Sequence, residues 1–305
     1  MVQKISVVIP NYNGENLIAK NLPEVIKNCP GCEIIVVDDA SGDGSVELLK
    51  KFKNIKLIVN PKNLGFSGAV NRGLDAAKGD FILMLNSDVR PRIGFLKPAI
   101  EHFKNENVFA VALTDYSHEG GKIVQRGKGG ADFKKGFLNH YAANPNAGET
   151  LWTSCGSGLF RTKVLKQLGG LDPVYSPFYW EDIDLSFRAR QKGYICIFEP
   201  ASKVDHYHEE GAIKKSRSPY AIKTISYRNQ FIFVWKNISD PLFLVEHILW
   251  FPHHIARAII SGDTAFLSGF VGAIAKIPQM VQNPQYQVSD KVVSDKDVIK
   301  KFKKP

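Results

Sequence analysis

Asp38 with Asp39, the Asn86-Ser87-Asp88 triplet, the acids Glu181, Asp182 and Asp184, and His206 with His208 are the side chains whose types and spacing could do chemistry. Carboxylates and imidazoles can hold a hard divalent cation such as Mg²⁺ or Mn²⁺, which usually arrives with a phosphate-bearing substrate. A separate carboxylate can take the proton of an attacking hydroxyl. Each group also has a plainer explanation. Asn-Ser-Asp ahead of Pro91 can be a turn, and Asp182 opens an amphipathic helical pattern over 182–192, where acids serve the helix dipole. Isolated histidines are commonly surface or core residues. The segment 175–180 packs four aromatics beside the acids. Aromatics next to carboxylates suit a sugar, whose ring faces stack while its hydroxyls bond, so Trp180, Glu181 and His208 are candidates for sugar or acceptor contacts.

These residues need a scaffold that delivers them to one place. Phe-Ile-Leu-Met-Leu at 81–85 is a run of five apolar residues without alternation, the pattern of a strand buried on both faces of a parallel sheet. In open α/β sheets ligands sit beyond the carboxyl ends of the strands, where Asn86, Ser87 and Asp88 emerge. The same pattern recurs upstream. Strands are expected at 4–10, 33–37 and 55–59, alternating with helices at 15–28, 46–52 and 69–78, so a right-handed, mostly parallel α/β sheet follows. Asp38 and Asp39 again stand at a strand's end.

Farther on, 91–103 reads as a helix and 108–113 as a strand, while 120–148 is rich in Gly, Asn and Lys and reads as a long loop, a lid or an acceptor surface. A strand at 153–160, a short helix at 162–168 and a strand at 194–198 follow. From 220 the pattern becomes helical, over 220–235, 241–260 and 264–277, with a broad apolar surface broken by Glu246, His247, His253, His254 and Arg257. That surface is too polar to span a bilayer. It suits a helix lying in the interface, helped by Lys214, Lys215 and Arg217 and by the tail lysines, or else helices that cover the main domain or form a homodimer contact. The tail from 282 to 305 is polar and basic and is expected to be loosely ordered. The expected organisation is thus a main domain over 1–235, an amphipathic helical region over 236–281 and a basic tail over 282–305.

Composition sets outer bounds. With 305 residues, 44% of them hydrophobic, the chain can bury a substantial core. A formal charge of +10 favours anionic partners. The N-terminus enters a strand directly, with no apolar signal-peptide core, which points to the cytosol. Four cysteines fit a reducing compartment. Cys29 and Cys32 have Cys-x-x-Cys spacing, but no second pair completes a zinc site. A dinucleotide oxidoreductase is disfavoured because Asn-Tyr-Asn-Gly follows the first strand where a Gly-x-Gly-x-x-Gly turn is needed.

Six segments in order carry a resemblance: Ser-Val-Val-Ile-Pro-Asn-Tyr-Asn at 6–13, Val-Val-Asp-Asp-Ala-Ser at 36–41, Asn-Leu-Gly-Phe-Ser-Gly-Ala-Val-Asn-Arg-Gly at 63–73, Leu-Asn-Ser-Asp at 85–88, Trp-Glu-Asp-Ile-Asp-Leu-Ser-Phe-Arg at 180–188 and Val-Asp-His at 204–206. Together they resemble the family 2 glycosyltransferases of the GT-A fold, in particular the rhamnosyltransferase-like branch. The resemblance implies a Rossmann-like, mostly parallel sheet flanked by helices, with a C-terminal helical appendage. It implies that Pro10, Tyr12 and Asp39 hold a nucleotide base, and that Gly68, Asn71 and Ser87 lie along the nucleotide. Asp88 matches the surviving carboxylate of an Asp-x-Asp metal motif whose first position is Asn86 here. His206 matches a later metal-site histidine, with His208 close enough to contest it. Asp182 is the implied base.

The implied activity is inverting transfer from a nucleotide-diphosphate sugar to a glycan or lipid-linked acceptor, by a single displacement that needs Mg²⁺ or Mn²⁺ on the diphosphate. The place implied is the inner face of the cell membrane, with no nucleic-acid partner. Two other readings remain at this point. A nucleotidyltransferase would show a glycine-rich basic loop after the first strand. A non-catalytic sugar or nucleic-acid binding module would not need Asp39, Asp88, Asp182 and His206 together.

Overall fold

The computed structural model describes residues 4–207 and 217–304. The first half builds the expected scaffold: β1 (Ile5–Asn11), α1 (Glu15–Asn28), β2 (Glu33–Asp38), α2 (Ser45–Leu49), β3 (Lys56–Val59), α3 (Gly65–Ala76) and β4 (Phe81–Leu85). These four strands are parallel, in the order β3-β2-β1-β4. Every residue of β4 is buried, as its unbroken apolar run required.

A second set completes a ten-stranded sheet. It comprises β5 (Val89–Pro91), β6 (Val108–Glu119), β7 (Lys122–Arg126), β10 (Gly148–Glu149), β11 (Ser157–Arg161) and β12 (Ile195–His206), while β8 (Gly129–Lys134) and β9 (Phe137–Ala142) pair only with each other. Here the pairing is mixed. β11 runs antiparallel to both β4 and β6, and β12 lies parallel to β6. The helices α4 (Leu96–Glu101), α5 (Thr162–Gln167) and α6 (Glu181–Gln191) join α1 to α3 around the sheet.

The loop expected at 120–148 is therefore mostly strand. Gly120 and Gly121, at φ 56° and 72°, make the two-residue turn between β6 and β7, and Lys135 and Gly136, at φ 54° and 77°, make the one between β8 and β9. Left-handed values at both turn positions match the right-handed twist of the flanking strands.

The C-terminal segment contains α7 (Pro219–Asn237), α8 (Pro241–Ile260), α9 (Thr264–Ile274), α10 (Ile277–Gln282) and α11 (Asp295–Lys301). One apolar cluster joins Ala131 and Leu138 of the β8–β9 hairpin, Ile183 and Phe187 of α6, Phe231 and Phe233 of α7, Phe266 of α9 and Ile299 of α11. The boundary expected at 235 falls inside α7, and the helices beyond it share a core with the hairpin and α6. The loosely ordered tail is also corrected. Val298 and Ile299 are buried in that core, and Phe302 O accepts from Ala131 N and Tyr141 Oη. Asp295 accepts from the amides of Ser239 and Asp240, which tethers the tail to the start of α8. All four cysteines are free, Cys29 buried in the turn after α1.

Candidate active site

The parallel half delivers its polar residues to the carboxyl ends of its strands. Asn11 ends β1 and donates to Asp38 Oδ2 at 2.9 Å, and Ser41 closes the same corner on Asp38. Asp39 is buried. It accepts from Asn60 Nδ2 at 2.7 Å and from the amides of Leu64 and Gly65. Its carboxylate therefore organises the loop that starts α3, and any nucleotide base would share oxygens already in use. Tyr12 is 41% exposed and presents an open aromatic surface beside Pro10.

Two of the expected nucleotide contacts find other work. The carboxamide of Asn71 donates to Leu171 O at 2.7 Å and accepts from Leu171 N at 2.9 Å, so it staples α3 to the turn before the acidic segment. Each of its polar atoms therefore already makes one structural hydrogen bond. At Gly68, an added Cβ would sit 2.5 Å from Leu64 Cβ, so the missing side chain makes room for Leu64 instead of for a ligand. Ser87 carries its carbonyl to Asn21 Nδ2 at 2.7 Å, which fixes the turn ahead of Asp88.

Asp88 and His206 meet as expected, with Oδ1 3.2 Å from Nε2. They arrive on neighbouring strands, since β5 follows Asp88 directly and pairs with the end of β12. On the other side of the ring, His206 Nδ1 lies 2.8 Å from Asp115 Oδ2. Burial pulls the imidazole pKa down, but the hydrogen bonds and charges of Asp115 and Asp88 outweigh it and raise it to about 9. A histidine held on one nitrogen by a carboxylate presents the other nitrogen in a fixed direction, the usual support for a metal ligand. Asp88 Oδ1 is buried, with His206 Nε2 at 3.2 Å as its ion-pair partner. With bonds of about 2.1–2.2 Å, two adjacent ligands on one cation stand about 3 Å apart, which matches the observed separation. The pair therefore fits a divalent cation that draws its remaining ligands from substrate phosphate and water. Among the described residues no group of three or more His, Cys, Asp or Glu gathers as a self-sufficient metal cage. His208 lies outside the described residues.

The acidic segment is held from α7. Asn229 Nδ2 lies within 3.0 Å of the carbonyls of Tyr175, Phe178 and Tyr179, and Arg228 donates to those of Tyr175 and Ser176. This clamp sustains two consecutive non-glycine residues in the left-handed region, Tyr179 at φ 70° and Trp180 at φ 76°. Such conformations cost on the order of 1–2 kcal/mol each and persist where the surroundings over-determine them. Their effect is to start α6 abruptly at Glu181. The expected sugar platform at Trp180 is corrected, because its ring is only 4% exposed and packs on Phe233. Tyr179 is the exposed aromatic of the segment.

The three acids of α6 divide by environment. Asp182 is partly buried in the first turn. Burial pushes its pKa up to about 6, opposed by the Ile183 amide, which donates to Oδ1 at 2.8 Å. That keeps it ionised at neutral pH yet basic enough to accept a proton. Glu181 is buried, with Oε2 lacking a hydrogen-bond partner among the described residues, and burial together with the Asp182 charge raises it well above the carboxylate range. Asp184 is fully buried and structural. Burial pushes its pKa up, but Arg188, Lys236 and Asn237 outweigh it and hold it at about 2. Lys236 pairs also with Asp172, which makes a dry network of two acids and two bases under the segment. One contact ties the acidic segment to the strand ends: Phe66 N, beside the Asp39 loop, donates to Pro177 O.

Sequence reasoning missed Asp115 and Asn229. Asp115 had a readable signal, since it follows Val-Ala-Leu-Thr near the end of an apolar strand, as Asp88 does. Asn229 had none, being one amide in a long helical pattern.

Comparison with known proteins bears on the family and the fold. The profile described as Glycosyl transferase family 2 matches residues 6–169. A "Pre-mycofactocin glycosyltransferase" of Mycobacterium tuberculosis is 30% identical over 208 residues, covering 67% of this chain and 43% of that protein, so the chain spans less than half of its relative's length. The "Undecaprenyl-phosphate 4-deoxy-4-formamido-L-arabinose transferase" of Proteus mirabilis is 35% identical over 98 residues, 29% of this chain and 30% of that protein. Among solved structures, S. aureus TarS 1-349 in complex with UDP-GlcNAc superposes with a TM-score of 0.59 at 20% identity, over 92% of this chain and 81% of that one. GalNAc-T7 with UDP, GalNAc and Mn²⁺ gives a TM-score of 0.64 at 18% identity, over 78% and 48%. The expected GT-A architecture is thereby shared with known glycosyltransferases.

Proposed function

Because the chain belongs to Glycosyl transferase family 2, we propose that it transfers a sugar from a nucleotide-diphosphate sugar to a hydroxyl of a glycan or lipid-linked acceptor, by one displacement that inverts the anomeric centre. The observation that carries the reading is the buried Asp88–His206 pair at 3.2 Å, set at the strand ends. Asp182 takes the acceptor proton, since it is the α6 acid that is both partly exposed and raised only to about 6. Tyr12 stacks on the base, and Asp39 holds the loop against which the nucleotide lies. Asp88 and His206 would hold Mg²⁺ or Mn²⁺, which when bound would supply positive charge beside the diphosphate. UDP and Mn²⁺ in the GalNAc-T7 structure, and the undecaprenyl-phosphate acceptor in the name of the Proteus relative, support donor, metal and acceptor of these classes.

Calorimetric titration of nucleoside diphosphates with and without Mn²⁺ tests the reading. In the wild-type protein Mn²⁺ should tighten binding, and Asp88→Ala should remove that enhancement, with His206→Ala acting in the same direction but less. Equal enhancement in wild type and Asp88→Ala would rule out the metal assignment.

The C-terminal helices add a place of work. Leu242, Val245, Ile248, Leu249, Ile259 and Ile260 of α8 are all exposed, Leu249 at 71% and Ile260 at 86%. At helical spacing they form one outward stripe along a 20-residue helix, about 30 Å in length. Lys135 stands over the Trp250 ring at its edge. No helix of the described residues is long and apolar enough to cross a membrane, and Lys214 and Lys215 lie outside them. The reading favoured by an apolar stripe with a basic edge is attachment to an anionic bilayer surface. The alternative occupant is a second copy of the chain. Since α8 shares the main core, a point substitution is a cleaner test than truncation. Leu249→Asp should reduce co-sedimentation with anionic vesicles about tenfold or more. If wild type and variant stay equally in the supernatant, the membrane reading fails and sedimentation equilibrium should then find a dimer.

A further inference from the structure

We propose that the cleft between α1 and β5 is a phosphate-binding subsite, separate from the metal pair and held by Arg90. The cleft has a volume of about 760 Å³ and is lined by Lys20, Arg90, Arg92 and Tyr207 among others. Arg90 is fixed from two sides. Its Nε donates to Asn21 Oδ1, and its guanidinium lies over the Tyr207 ring, 4.7 Å from the centroid. Its Nη2 is buried and has no hydrogen-bond partner among the described residues. A buried guanidinium donor left unpaired is costly, and a guanidinium whose orientation is already set can give that donor to a phosphate oxygen without further ordering.

The surrounding charges favour an anion. Lys20 Nζ lies 5.3 Å from the same Tyr207 centroid, so two cations crowd one ring. The acids on the walls are largely engaged elsewhere. Asp205 accepts both arms of Arg92, and Glu24 faces Lys27 at 3.8 Å. An anion beside Arg90 would satisfy Nη2. The subsite also has a path to the metal ligand. Asn21, which holds Arg90, donates to Ser87 O, and Tyr207 N donates to Asp88 O at 3.0 Å. A phosphate there sits beside the diphosphate site, on the α1 side of the sheet. It can be a free phosphate or the head of a phosphorylated lipid.

Titration of the full chain with inorganic phosphate, in EDTA so that no divalent cation contributes, tests this without relying on the transferase reading. The wild type is expected to bind with saturable, one-to-one heat that weakens with salt. Arg90→Gln should lose about tenfold or more in affinity, Arg90→Lys should fall between because it keeps the charge without the guanidinium, and Asp88→Asn should bind as the wild type does. Thermal unfolding checks that each variant is folded. If Arg90→Gln does not fold, Arg90→Lys decides alone. Flotation with phosphatidic acid vesicles separates the sources: loss of recruitment in the folded Arg90 variant marks a lipid phosphate, and unchanged recruitment with lost phosphate affinity marks a free one. Absence of saturable binding, equal affinity in wild type and folded Arg90 variants, or loss of binding in Asp88→Asn would each overturn the proposal.

Discussion

Asp182→Asn is expected to lower turnover by on the order of 10²- to 10⁴-fold while leaving nucleotide binding nearly intact, because it removes a base without removing volume. The same substitution should raise stability at neutral pH. The folded-state pKa of Asp182 is about 6 against 3.8 for an unperturbed aspartate, so the fold binds this proton more tightly than the unfolded chain does. The resulting stabilisation is present below about pH 3.8 and is lost as pH rises through about 6. At pH 7 the charged carboxylate therefore carries a penalty, on the order of 1–3 kcal/mol, which asparagine does not. The wild-type kcat/KM should fall about tenfold per pH unit below pH 6, as the base takes up its proton. Steady-state assays over pH 4.5–8, with thermal unfolding of both proteins, check all three. A variant that kept more than about a third of wild-type turnover would remove Asp182 from the role and leave Glu181 to be tried.

Asp184→Ala, two residues along the same helix, should do the opposite to stability. Arg188 and Lys236 are both buried against Asp184. Removing one partner of a buried ion network strands the others without water, which costs roughly 3–5 kcal/mol, a large part of the 5–15 kcal/mol typical of a whole fold. Asp184→Asn should be milder, because an amide still accepts from Arg188. Urea unfolding measures this directly. An Asp184→Ala midpoint equal to wild type would show that the network is no support for the acidic segment. Opposite signs at Asp182 and Asp184 separate a group held in an unfavourable environment for chemistry from one satisfied for structure.

The parallel half of the fold was legible because three of its four strands, β1, β2 and β4, are buried on both faces. An apolar run such as 81–85 then leaves no ambiguity of period, and the polar residues that end it must emerge at the site. The rest was hidden for identifiable reasons. Gly120-Gly121 is a two-residue hairpin signal that composition alone reads as loop, whereas Lys135-Gly136 offers only half of one and relies on His247 and His254 of α8, which sit against its carbonyls. In the tail, the lysines at 300, 301, 303 and 304 mask Val298 and Ile299, although two apolar residues on one short helix suffice to dock it when Asp295 and Phe302 supply main-chain ties.

Within the site, Asp88 stood out in the sequence because it follows a buried strand, whereas His206 was singled out through the family resemblance. Residue type alone could not separate Asp182 from Asp184, since their difference lies in Lys236, a partner more than fifty positions away. Trp180 misled for a related reason. An aromatic beside acids suggests a sugar platform, but the left-handed turn held by Asn229 directs that ring inward and leaves Tyr179 outside.

The most direct test is release of nucleoside diphosphate from a panel of uridine, thymidine and guanosine diphosphate sugars, with Mn²⁺, Mg²⁺ or EDTA and no added acceptor. One donor should be hydrolysed slowly, with water in place of the acceptor hydroxyl, and the reaction should need the cation and disappear in Asp88→Ala and Asp182→Asn. If no donor of the panel is consumed, or if consumption is unchanged by EDTA and by both substitutions, the proposed active site is contradicted.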